Sequence, residues 1–173
     1  DMEFMKILAP ETIVTGLNVK DKAEALDQMA ELFVKAGNIN DKTQFIKDVY
    51  VREEIGETGV GNYIAIPHGK SEAVVTPGVA IAVLDHEIEW ESLDDTGAKV
   101  IILFAVGTDN EAAMEHLKLL AMFSKRLGDN AVVAKLIGAG SVEDVIKALT
   151  EEAEDAEEET EEEDIDLDDI TIM

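Results

Sequence analysis

A chain of 173 residues with 46% hydrophobic side chains is long enough to bury one sizeable core and too short for two full domains. Its formal charge of −25, with 39 acids against 14 lysines and arginines, argues against nucleic-acid binding, which needs clustered cations to neutralise phosphates. The absence of cysteine excludes disulfides, thiolate metal sites and thiol nucleophiles, and fits a reducing compartment.

No apolar run reaches the roughly 18 residues of a membrane span, and Asp1-Met-Glu-Phe-Met-Lys6 has neither the basic flank nor the apolar block of a signal peptide. A soluble, cytoplasmic protein is expected. The first periodic segment covers residues 21–36, where Leu26, Met29, Ala30 and Phe33 share a helical face, Asp21 and Glu24 form a cap signal, and Gly37-Asn38 stops the helix. A second helix is predicted over 41–54, capped by Asn40 or Asp41, with Phe45, Val49 and Tyr50 repeating the pattern and Arg52 in the last turn. A glycine-rich loop follows and leads into the extended run Tyr63 to Ile66, then Pro67-His68-Gly69.

The runs 79–84 and 100–106 are continuous, rich in β-branched residues and bounded by Gly78 and Gly107, as central strands covered on both faces are. Asn110 is the predicted cap of a long helix to Leu127, Gly128-Asp129 breaks it, and Ser141-x-x-Asp144 starts a last helix to Leu149. Helices mixed with strands of these lengths predict an α/β class, one mixed β-sheet sandwiched between helices in a single domain over residues 1–150. Residues 151–169 hold 14 acids and no base, leaving about −11 on residues 1–150, so 151–173 is expected to be an acidic, disordered linker or tail.

Chemistry centres on His68, held between proline and glycine at the end of an apolar run. A neutral imidazole there can serve as nucleophile, base or ligand, and Gly59, Gly61 and Gly69 bare backbone amides suited to an anionic phosphoryl group. His116 groups with Ala113, Leu117, Leu120 and Phe123 on its helix. It is either a satisfied core histidine or a donor aimed at the sheet end near His68. Arg52 can fork onto phosphate oxygens or simply cap its helix. His86 lies in a surface loop or edge strand and is assigned no role. A zinc site from His68, His116 and a carboxylate lacks any local ligand pair, Ser-His-Asp hydrolysis lacks a Gly-x-Ser-x-Gly, and Gly59-x-Gly61 precedes a strand where a dinucleotide fingerprint follows one.

Residues 61–70, Gly-Asn-x-Ile-Ala-Ile-Pro-His-Gly-Lys, resemble the phosphorylation motif of the fructose and mannitol class of enzyme IIA domains of the bacterial phosphoenolpyruvate-dependent sugar phosphotransferase system. Further ordered blocks carry the resemblance over roughly residues 5–150: Arg52-Glu53, Pro77-Gly-Val-Ala-Ile-Ala-Val83, Ile88-x-Trp-x-Ser-Leu-Asp94 and Glu115-His-Leu-x-x-Leu-Ala121. The resemblance implies His68 as phosphoacceptor, taking a phosphoryl group from the carrier protein HPr and passing it to a IIB domain that serves a membrane IIC component, with a fructose-type sugar. It implies Arg52 and His116 as holders of the phosphoryl oxygens, Asn62, Gly61 and Gly69 as pocket residues, and no metal or other cofactor. Tyr63 and Asp95 stand where the family commonly has glycine, and Tyr63 is expected to narrow the pocket mouth. The acidic tail then resembles a joint to a missing IIB domain. Two other readings stay open: a regulatory nitrogen-type IIA protein switched by phosphorylation of His68, and a binding module with an inert His68.

Overall fold

The computed structural model describes residues 2–150; the acidic segment beyond them lies outside the described residues, as does every expectation about it. The elements run α1 (Met2–Ile7), a 3-10 turn (Pro10–Thr12), β1 (Ile13–Leu17), α2 (Lys22–Ala36), α3 (Lys42–Glu53), β2 (Gly59–Gly61), β3 (Ile64–Ala65), β4 (His68–Lys70), β5 (Gly78–Ile88), β6 (Ala98–Val106), α4 (Asn110–Leu127), α5 (Asn130–Ile137) and α6 (Val142–Thr150). The sheet order is β1-β5-β6-β3-β2, and β4 also pairs with β6. β1 lies parallel to β5, and β3 and β4 lie parallel to β6. The pairs β5–β6 and β2–β3 are antiparallel, so the sheet is mixed.

Alternation along β5 and β6 divides the core. Ala80, Ala82, Leu84, Ile101 and Leu103 meet Leu26, Met29 and Phe33 of α2 with Phe45 and Val49 of α3. Val79, Ile81, Val83, Ile102 and Phe104 meet Phe4, Phe123, Val132, Leu136 and Val145 from α1, α4, α5 and α6. Helices thus cover both faces, which is why the two central strands read as unbroken apolar runs.

The helix starts are set by aspartates. Asp21 accepts from the Glu24 amide, Asp41 from Gln44 and Asp129 from Ala131. For α4 the cap is Asp109, whose carboxylate accepts from the Ala112 amide at 2.7 Å, and Asn110 is the first helical residue, so the helix starts one residue earlier than expected. The Ser141 hydroxyl accepts from the Asp144 amide at 3.1 Å, as its spacing predicted.

β3 and β4 together line one side of β6: Ile64 sits opposite Val100, Ala65 opposite Ile101 and His68 opposite Phe104. Between them Ile66 donates its amide away to Thr58, and Pro67 has none to give while its carbonyl accepts from Phe104. The run is interrupted at Ile66 and Pro67 and resumes with His68.

Candidate functional site

His68 shares its rung with Phe104, whose ring belongs to the face covered by α4. α4 delivers His116 to the same place. The two imidazole centroids are 4.8 Å apart, and His116 meets the Phe104 ring edge-on at 5.2 Å. His68 is half-buried, and its ring donates a hydrogen bond to the Ile66 carbonyl. That bond occupies one ring nitrogen and leaves the lone pair on the other.

The opposite face of β4 explains Arg52. A Cβ on Gly69 would lie 2.7 Å from Phe45 Cε1 and 2.8 Å from Val49 Cγ2, so only glycine lets α3 lie this close to the strand. The side of Gly69 where a Cβ would stand is therefore filled by α3. α3 ends at Glu53, and the Arg52 guanidinium donates to the Gly56 carbonyl at 3.0 Å in the following turn. From there its charge reaches His68. Burial first, and then Arg52, hold the His68 pKa down to about 4, against the hydrogen bond to Ile66, which pulls upward. Burial, with His68 second, holds His116 down to about 4 as well. Both imidazoles are neutral at pH 7. Among the described residues, the buried Nδ1 and Nε2 atoms of His116 have no hydrogen-bond partner.

His68, His116 and Arg52 are thus brought together from β4, α4 and α3. Asn62 and Gly61 are not in that group. Along β6 the rung of Ile64 and the rung of His68 are four residues apart, roughly 13 Å of strand, and Asn62 lies beyond Ile64 in the β2–β3 turn. Its amide is bound to Asp94 Oδ2 at 3.0 Å, and a Cβ on Gly61 would meet the same oxygen at 2.9 Å.

That turn also accounts for Tyr63. Asn62 and Tyr63 both have positive φ, 54° and 68°, the geometry of a two-residue hairpin that favours Asn-Gly. Tyr63 stacks against the Lys99 ammonium at 4.3 Å, at the turn rather than at a pocket mouth beside His68. Asp95, the other place where the family's glycine is missing, also has a positive φ, 67°. Both departures fall where glycine is the relaxed choice, at a cost of about 1–2 kcal/mol for an ordinary side chain.

Sequence reasoning missed a buried polar network next to Arg52. Glu53, 5% exposed at its side chain, is ion-paired with Lys22 and accepts from the Thr58 hydroxyl at 2.7 Å. The same Thr58 oxygen accepts from Trp90 Nε1 at 2.9 Å. The Arg-Glu and Ile-x-Trp motifs were its only trace in the sequence. Among the described residues, no group of three or more His, Asp or Glu is arranged to hold a metal ion, and no helix is long and apolar enough to cross a membrane.

Comparisons with known proteins bear on the family and the fold. The family model described as "Phosphoenolpyruvate-dependent sugar phosphotransferase system, EIIA 2" matches residues 6–152. The PTS system 2-O-alpha-mannosyl-D-glycerate-specific EIIABC component of Escherichia coli is 30% identical over 86% of this chain and 22% of its own length. The chain therefore spans about a fifth of that relative. A nitrogen regulatory protein of Klebsiella oxytoca is 30% identical over 87% of this chain and 91% of its own. Among solved structures, a chain in the complex of enzyme IIA-mannitol with phosphorylated enzyme IIB-mannitol from Escherichia coli superposes with TM-score 0.69 at 26% identity, covering 82% of this chain and 96% of that one.

Proposed function

The chain belongs to the EIIA type-2 family of the phosphoenolpyruvate-dependent sugar phosphotransferase system, and on that premise we propose that His68 is its phosphoacceptor, loaded by phospho-HPr and unloaded onto a IIB domain. The observation that carries the reading is the ring of His68, neutral at pH 7, tied to Ile66 through one nitrogen and flanked by Arg52 and the two unpartnered nitrogens of His116.

In the forward step the free lone pair of His68 attacks phosphorus as the N–P bond of the donor's phosphohistidine breaks. The electron pair of that bond returns to the donor imidazole. The transferring group is loose and carries its charge on three equatorial oxygens, so alignment and electrostatics do most of the work. Arg52 supplies a fixed positive charge and His116 an N–H donor, both in a partly desolvated setting where they act strongly. The same groups run the reverse step when a IIB side chain is the acceptor. A fructose-type sugar is part of the proposal through the motif resemblance alone, and sugar choice rests with the partner components.

A second reading is a regulatory protein of the nitrogen type, supported by one observation. The Klebsiella oxytoca nitrogen regulatory protein is 30% identical to this chain, the same identity as the mannosylglycerate-specific EIIABC component. In both readings His68 takes the phosphoryl group. Incubation with labelled phosphoenolpyruvate, enzyme I and HPr should place acid-labile label on the wild type, none on His68→Ala, and label more slowly on His116→Ala. Folded wild type that stays unlabelled, beside a control IIA that accepts phosphate, would leave only the binding module. Transfer onward to a IIB domain separates the transport reading from the regulatory one.

A further inference from the structure

Arg52 and His68 come from different elements, and one buried polar chain runs from Glu53, the neighbour of Arg52, to Ile66, whose carbonyl faces the His68 ring. Glu53 follows Arg52 at the end of α3, and its carboxylate takes the Lys22 ammonium of α2 and the Thr58 hydroxyl. Thr58, 3% exposed, accepts from the Trp90 indole on its other side. The Thr58 carbonyl in turn accepts from the Ile66 amide at 2.9 Å, and the Ile66 carbonyl is the acceptor of the His68 ring. Next to this chain, Gly59 donates to the Glu91 carbonyl and accepts from Leu93, which pins the Thr58 strand to the segment carrying Trp90.

The geometry points to Glu53 and Thr58 as positioning residues, which together set where the Arg52 guanidinium and the His68 ring stand relative to each other during phosphoryl transfer. The inference rests on the proposed role of His68. Its physical basis is economy of contacts. The Thr58 hydroxyl donates its one hydrogen to Glu53 and accepts from Trp90 with one of its two lone pairs. A short side chain with both roles filled cannot rotate without leaving a buried indole N–H and a buried carboxylate oxygen unpaired. The C-terminus of α3 and the strand leading to Ile66 are thereby locked to one another at a point one residue from Arg52 and one hydrogen bond from Ile66. Lys22 completes the arrangement by neutralising Glu53, so that a buried negative charge does not oppose Arg52 next door.

Thr58→Val keeps the shape and removes both bonds, whereas Thr58→Ser keeps the hydroxyl. Two readouts apply: the rate of phosphoryl acceptance from phospho-HPr with its kcat and KM separated, and the NMR titration midpoint of His68. In Thr58→Val, kcat should fall about tenfold to a hundredfold, as expected for a misplacement of the order of an ångström. KM should be unchanged, and the His68 midpoint should move upward as Arg52 leaves its side. Thr58→Ser should restore both. A folded Thr58→Val with wild-type kcat and midpoint, or a Thr58→Ser as impaired as the valine variant, overturns the inference. If Thr58→Val does not fold, Glu53→Gln is read for the same two changes and decides in the same way. Wild type that takes no phosphate would defeat the proposed function, while the titration would still decide the positioning.

Discussion

An imidazole attacks phosphorus only when unprotonated, and His68 is kept in that form by burial and by the Arg52 charge. The same environment has a cost that pH reveals. His68 and His116 titrate near 4 when folded and near the ordinary 6.5 when unfolded, so between those values the unfolded chain binds more protons. The stability that depends on their neutrality is complete above about pH 6.5 and is lost as pH falls towards 4. Denaturant unfolding at pH 7 and pH 4.5 should show a larger loss for wild type than for the double variant His68→Gln/His116→Gln. Equal losses would contradict the burial of the two rings. His68 was legible in the sequence because proline and glycine isolate it after an apolar run. Glu53, Thr58 and Trp90 were not legible as a unit, since Thr58 and Trp90 are 32 residues apart and meet only through the fold.

At the level of elements, α3 and β4 act together. Phe45 and Val49 fill the space where a side chain on Gly69 would go, and that contact presses the end of α3 against the strand that presents His68. Gly69→Ala should cost about 1–3 kcal/mol of stability by overpacking, and should slow phosphoryl acceptance because α3 carries Arg52 away from His68. Thermal unfolding and labelling rates check the two parts. An alanine variant with unchanged stability would mean that α3 has room to spare. α2 and α3 were readable from Asp21 and Asp41 because caps are local. The apolar run of β5 ends at Leu84, although the strand continues through the exposed Asp85, His86 and Glu87 to Ile88. β1 escaped notice because Thr15 and Gly16 break its pattern and its pairing with β5 is 68 residues distant in sequence at Ile13 and Ile81. α5, apolar and β-branched in Val132 and Val133, had no helical period to distinguish it from a strand.

For the molecule as a whole, a mixed sheet covered on both faces leaves the ends of its strands as the place where α3, β4 and α4 converge. Fold class and the trio His68, His116 and Arg52 followed from pattern and resemblance together. The separation of Asn62 and Gly61 from that trio is a matter of register along β6, which no local signal encodes. One chemical claim is central: a neutral His68 uses its free ring nitrogen to hold the phosphoryl group. Nitrogen-15 NMR of the histidine rings at pH 7, before and after loading from phospho-HPr, reads this directly. The expected result is a His68 ring with one N–H and one bare nitrogen, the bare nitrogen then acquiring a coupling to phosphorus. A His68 ring already doubly protonated at pH 7, or phosphorus coupled to any residue other than His68, would contradict it.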